Sequence, residues 1–151
     1  MSALSRISAL GLRLPDVAAP VAAYVPATRV GNQVWTSGQL PFVDGALPAT
    51  GKVGAEVSAE DAYEYARTCL LNALTAVDAE VGLDAVTRVV KVVGYVASAP
   101  DFTGQPGVIN GASELIGEIF GDAGAHVRSA VGVAVLPLDA PVELELIVEV
   151  A

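Results

Sequence analysis

The residue types best suited to chemistry lie between His126 and Val150, in the stretch HVRSAVGVAVLPLDAPVELELIVEV. Arg128 opens what reads as a β-strand, and Glu143, Glu145 and Glu149 are spaced along a second one. A guanidinium presents a planar fork that matches a carboxylate through two parallel hydrogen bonds. The residues after it, Ser129, Ala130, Val131 and Gly132, are small enough for a ligand to come close. Two roles are open for Arg128 on this basis. It is a carboxylate clamp, or it is a surface arginine paired with Glu143 or Glu145 across a hairpin, where such a pair contributes about 0.2–1 kcal/mol.

Other groups offer less. The single histidine, His126, and the single cysteine, Cys69, stand far apart in sequence. A thiol–imidazole pair is conceivable, but a mid-helix cysteine at an apolar position reads as core. No ligand spacing for a metal is present, and no glycine-rich phosphate loop stands between a strand and a helix. Neither metal nor cofactor is expected. Tyr63, Tyr65 and Phe120 fall at helical positions that suit packing better than base stacking.

Composition narrows the function classes. The chain carries a net charge of −9, with 8 basic against 17 acidic residues, so it repels phosphate backbones and no basic cluster offsets this. Its 53% hydrophobic content, rich in small residues, is high for a small domain and suggests burial between subunits. One cysteine fits a reducing compartment. There is no leader-like apolar segment and no run of 18 apolar residues, so the chain reads as soluble, cytoplasmic and not membrane-bound.

The elements that position these residues follow from local signals. Residues 1–20 form a lead-in that either pairs at a sheet edge or crosses the surface. Ala22–Val30 reads as a strand, with Pro26 confining it to an edge. Gly31–Asn32 is a tight turn, Gln33–Gly38 a second strand, and Gln39–Val53 a loop rich in Pro and Gly. Ser58 and Asp61 begin a helix over Ala59–Val81, which Gly82 ends. Val86–Ala97 is a β-branched strand in which Arg88 and Lys91 must face water or a partner. Ser98–Pro106 is a loop, and Gly107–Phe120 a helix weakened by Gly111 and Gly117. Two strands joined at Leu136–Pro141 complete a β-β-α-β-α-β-β order. It implies one α+β domain, 1–151, with a mixed sheet and two helices on one face. The other face then needs water or another subunit.

Three segments carry a resemblance. RSAVGVAVLPLDAPVELE (Arg128–Glu145), AAYVPATRVGNQVWTSGQLP (Ala22–Pro41), and VVKVVGYVASAPDF (Val89–Phe102) followed by Asn110 occur in collinear order. Together they resemble the RidA/YjgF/UK114 family, some of whose members carry an endoribonuclease L-PSP label. The resemblance implies a chorismate-mutase-like fold, a homotrimer, and ligand sites in clefts between subunits. It also implies cofactor-free hydrolysis of reactive 2-imino or enamino acids to 2-keto acids and ammonia, as in a 2-iminobutanoate/2-iminopropanoate deaminase. By the same resemblance Arg128 binds the substrate carboxylate, Glu143 positions or activates water, and Tyr24, Ser37, the Gly38 N–H and Asn110 complete the pocket. The chain departs from the family pattern at Ala130, often cysteine, at His126–Val127, where Pro-Ala is usual, and in the glycine-rich Gly107–His126 segment.

A trimer that binds a small carboxylate or 2-keto acid without turnover is the alternative. An endoribonuclease fits the acidic charge poorly. One geometric problem is visible in the sequence. If the last two strands form a hairpin symmetric about Asp139, alternation puts Arg128 and Glu143 on opposite faces. A bulge, an offset or residues from different subunits would then be required.

Overall fold

A computed structural model describes residues 1–17 and 23–151. Its largest helix, α2 (Ala59–Val81), begins where the Ser58 hydroxyl accepts from the Asp61 N–H at 3.1 Å. Glu60 and Asp61 in the first turn favour the positive end of the helix dipole. The apolar stripe Ala62, Ala66, Cys69, Leu70, Ala73, Leu74 and Val77 is buried against the sheet and its neighbouring helix. At Gly82 the backbone turns to φ +81°, and Asp78 accepts there from both Gly82 and Leu83. The sequence boundaries of this helix agree with the structure.

The second long helix, α3 (Gln105–Phe120), starts two residues earlier than the sequence suggests, with Pro106 in its first turn. That position suits proline, whose missing N–H has no helical partner there. Gly111 lets α3 approach α2 closely, because a Cβ at that position would overlap the Tyr63 carbonyl. Gly117 has nothing within 4 Å of the corresponding position.

Five strands form one sheet in the order β1-β2-β5-β3-β4. They are β1 (Ala27–Val30), β2 (Gln33–Thr36), β3 (Val86–Ala97), β4 (Val127–Val133) and β5 (Val142–Val150). β4 runs parallel to β3, and the other pairs are antiparallel. The first strand begins only after Pro26 and lies at an edge, shorter than the expected Ala22–Val30; Ala22 lies outside the described residues. The second strand stops before Ser37.

The expected pairing of the last two strands is not formed. β3 lies between β4 and β5. A parallel pair needs a crossover, and α3 supplies it between β3 and β4. The chain then passes through a short turn at Pro137–Asp139, with Leu138 and Asp139 at positive φ, and enters β5 on the far side of β3.

Along β5 the even positions Val142, Leu144, Leu146 and Val148 are fully buried beneath the helices. The odd positions Glu143, Glu145, Ile147 and Glu149 face the other side, where Trp35 stands opposite Ile147 and is 49% exposed. Mixed sheet and helix layer make an α+β fold. The lead-in adds a short helix, α1 (Ala3–Ala9), which settles its placement: it crosses the helix layer. Ile7 is buried, Arg6 donates to the Ile119 carbonyl, and Thr75 donates to the Pro15 carbonyl. Residues 18–20 of the lead-in lie outside the described residues.

Candidate functional site

The sequence-derived residues fall into two groups on opposite faces of the sheet. The first contains Arg128. In β4 it lies opposite Val92, which in turn lies opposite Leu146, and both of these are buried under the helices. Arg128 therefore leaves the sheet on the helix side. Its Nη1 donates to Ser113 Oγ at 3.1 Å and its Nη2 to the Pro106 carbonyl at 3.3 Å. A guanidinium has five N–H donors, so these two bonds hold it and leave others for a ligand. Among the described residues it has no carboxylate within ion-pair distance; the pairs formed are Arg67 with Glu64 and Glu118, and Arg88 with Glu149. The alternative role, a cross-hairpin pair with Glu143 or Glu145, is not formed.

Asn110 joins this first group by helical spacing. Pro106, Asn110 and Ser113 are i, i+4 and i+7, one stripe along α3. Arg128 lies along that stripe, held at both ends. His126 completes the group: its Nε2 is 2.9 Å from Ser113 Oγ and its Nδ1 is 2.6 Å from the Gly124 carbonyl. Neither nitrogen is near Cys69 chemistry, since the thiol is buried and contacts the Val142 carbonyl. Burial pushes that thiol well above its usual pKa, with the Glu143 charge adding to the effect.

The second group lines an open cleft of about 340 Å³ on the helix-free face, formed by Tyr24, Ser37, Gly38, Tyr95, Glu143 and Glu145. Ser37 sits just past β2, with its hydroxyl donating to the Val25 carbonyl at 2.6 Å and its N–H to the Pro26 carbonyl at 2.8 Å. Gly38 follows, and a Cβ there would lie 2.9 Å from Glu143 Cδ, so only glycine admits this carboxyl undisturbed. Glu143 lies opposite Tyr95 in the register. Its carboxyl is pushed above its ordinary pKa, first by burial and then by the Glu145 charge. Tyr95 donates to Glu145 Oε1 at 3.1 Å. Burial pushes the Tyr95 hydroxyl up, as does its bond to Glu145.

The structure thus brings Tyr24, Ser37, Gly38 and Glu143 together and puts Arg128 and Asn110 elsewhere. Two strand spacings of about 4.8 Å and the thickness of the sheet separate the groups. Tyr95, Glu145 and Ser113 are the additions that sequence reasoning did not assign to a site. The alternation of β5 would have found Glu145, two positions from Glu143. Ser113 carried no sequence signal, since its role depends on β4 lying beside α3.

A larger hollow of about 610 Å³ between the lead-in and α2 contains none of these residues. The amide nitrogen of Asn72 on its wall is committed to the Leu40 and Phe42 carbonyls. Among the described residues no three His, Cys, Asp or Glu side chains are grouped so as to hold a metal ion, and no helix is long and apolar enough to cross a membrane.

This arrangement has known counterparts. Residues 4–150 match the family model described as "YjgF/chorismate_mutase-like, putative endoribonuclease". The chain is 44% identical over 147 residues to Protein TCP17 of Trypanosoma cruzi, covering 96% of this chain and 92% of that protein. Among solved structures it is similar to Atu1372 of Agrobacterium tumefaciens, a protein of unknown function, at 43% identity and a TM-score of 0.91, covering 99% and 92% of the two chains. It is also similar to E. coli TdcF solved with bound serine, at 26% identity and a TM-score of 0.67, covering 89% and 94%. With nearly the whole chain matched to the family model, the chain belongs to the YjgF/chorismate mutase-like family.

Proposed function

We propose that this protein hydrolyses small 2-imino or enamino acids to 2-keto acids and ammonia, in a cleft between neighbouring copies of the chain in a homotrimer. The observation that carries this is the division of the site. One face offers a guanidinium with free donors and no carboxylate partner among the described residues. The other offers a half-buried carboxyl with a raised proton affinity beside an open cleft. The two cannot meet within one protomer, and they are complementary in charge and in chemistry. Residues from two subunits resolve the conflict that strand alternation already poses.

The reaction needs little from the protein. A 2-imino acid carries an electrophilic C=N carbon next to its carboxylate. Arg128 grips the carboxylate in two hydrogen bonds and fixes the distance to the reacting carbon. Glu143, ionised, takes a proton from a water molecule as its oxygen bonds to that carbon, and the electron pair of C=N moves to nitrogen. The same carboxyl returns that proton to nitrogen, giving a carbinolamine. It then takes the hydroxyl proton and passes it to nitrogen, so that the C–N bond breaks, the carbonyl forms and ammonia leaves. No covalent enzyme intermediate is needed. Ser37, the Gly38 N–H, Tyr24 and Asn110 bound the pocket and orient water. Asn110 does so from the Arg128 side.

One observation favours a second reading, in which a small amino or keto acid is bound without turnover. TdcF holds serine, which is an amino acid and not an imine. A coupled assay separates the two. An amino-acid oxidase generates the imine, and its loss is followed with and without this protein. Acceleration that disappears in Arg128→Ala is the expected result. No acceleration, with saturable 2-keto acid binding that requires Arg128, establishes the binding reading instead. The net charge of −9 argues against RNA as a substrate.

A further inference from the structure

With the His126 ring neutral, the hydrogen bonds around Arg128 have only one consistent set of directions. The Gly124 carbonyl oxygen can only accept, so His126 Nδ1, 2.6 Å away, carries the ring proton. In the neutral ring Nε2 is then a bare acceptor, so the Ser113 hydroxyl donates to it across 2.9 Å. This turns a lone pair of Ser113 Oγ toward Arg128, whose Nη1 donates across 3.1 Å. The chain of bonds runs from a cation at one end to a carbonyl dipole at the other, and no member is free to reverse alone.

The far end is fixed by packing. Gly124 is buried, and a Cβ there would lie 2.9 Å from the Ile116 carbonyl of α3. The residue whose carbonyl sets the tautomer is thus packed against the helix that carries Ser113. Pro106 O holds the other arm of the guanidinium.

We infer that Ser113 and His126 are a positioning pair for Arg128, holding its guanidinium in the one orientation that presents its remaining N–H groups as a carboxylate fork. The inference rests on the proposed role of Arg128 and deepens it: the affinity for short 2-keto and 2-imino acids depends on a serine hydroxyl whose direction a histidine dictates. Neither residue touches substrate. A guanidinium freed from Ser113 swings about its long stem, and its fork loses alignment with the carboxylate.

His126 is the only histidine, so its ring nitrogens can be read in the intact protein without ambiguity. Long-range proton–nitrogen NMR should show the Nδ1–H tautomer. Saturation with 2-oxobutanoate should shift the Nε2 resonance in the wild type and leave it still in Ser113→Ala and in Arg128→Ala. Ser113→Ala and His126→Ala should each weaken 2-oxobutanoate binding about tenfold, the loss expected for one bond to a charged group. KM should rise more than kcat falls, and Ser113→Thr, which restores a hydroxyl, should recover most of the affinity. An Nε2–H tautomer, or unchanged affinity in both Ser113→Ala and His126→Ala while Arg128→Ala abolishes binding, overturns the positioning pair. Binding that survives Arg128→Ala overturns the proposed function itself.

Discussion

Glu143 is asked to be a base although its surroundings favour the acid. Burial and the neighbouring Glu145 both raise its pKa above the ordinary 4.5. A base works only when ionised, so activity must fall as the pH drops through the raised value. The acid limb of kcat/KM is therefore expected above pH 4.5, and Glu143→Gln should remove that limb while lowering kcat by about 10²–10⁴-fold. A pH–rate series on both proteins checks this; a wild-type limb at or below the ordinary carboxylate value would sink the role. Gly38 gives a second test from the opposite side. Its absent Cβ leaves room for Glu143 Cδ, 2.9 Å from where that carbon would sit. Gly38→Ala must push the carboxyl aside, and because the clash is with a flexible side chain, stability should change by less than about 1 kcal/mol while kcat drops. Equal turnover by Gly38→Ala and wild type would mean that the carboxyl's position is irrelevant. The residue types of this site were readable in the sequence. Their division between two faces was readable only as a conflict in strand alternation.

Elements decide which of those residues can meet. The capping at Ser58, the stripe from Ala62 to Val77 and the stop at Gly82 are all local, and for that reason the sequence places α2 correctly. The pairing partner of a strand is not local. Strands β4 and β5 are joined by few residues and look like a hairpin, yet the α3 crossover commits β4 to the outer side of β3. Nothing between Leu136 and Pro141 encodes that. The same limit explains the glycines of α3, which in isolation only weaken a helix. Gly111→Ala should gain about 1 kcal/mol of helix propensity and lose about 1–3 kcal/mol to overpacking, because the contact is the rigid Tyr63 carbonyl and no rotamer relieves it. Net destabilisation is expected there. Gly117→Ala, with open space around it, should stabilise by up to about 1 kcal/mol. Urea unfolding of both variants at one protomer concentration makes the comparison, and stabilisation by Gly111→Ala would show that the two helices can part at little cost.

At the scale of the molecule, the helix-free face and the β4 edge leave apolar surface in water. Trp35 is 49% exposed and Val127 65%. A homotrimer would cover such surface and would set the Arg128 group of one protomer against the Glu143 cleft of the next. That geometry makes a prediction that no single-chain site can imitate. Arg128→Ala destroys one half of every cleft, and Glu143→Gln destroys the other, so each variant alone should keep at most about 1% of wild-type activity. Unfolded together in equal amounts and refolded, they assemble at random. A given cleft is intact when its arginine side comes from the Glu143→Gln chain and its glutamate side from the Arg128→Ala chain, which occurs in about a quarter of clefts. Recovery of about a quarter of wild-type activity is expected, with a light-scattering mass near three times 15.3 kDa. Simple mixing without unfolding should restore activity only as fast as subunits exchange. If refolded mixtures stay inactive while the wild type refolds to full activity by the same protocol, arginine and glutamate serve the same protomer, and the shared cleft is wrong.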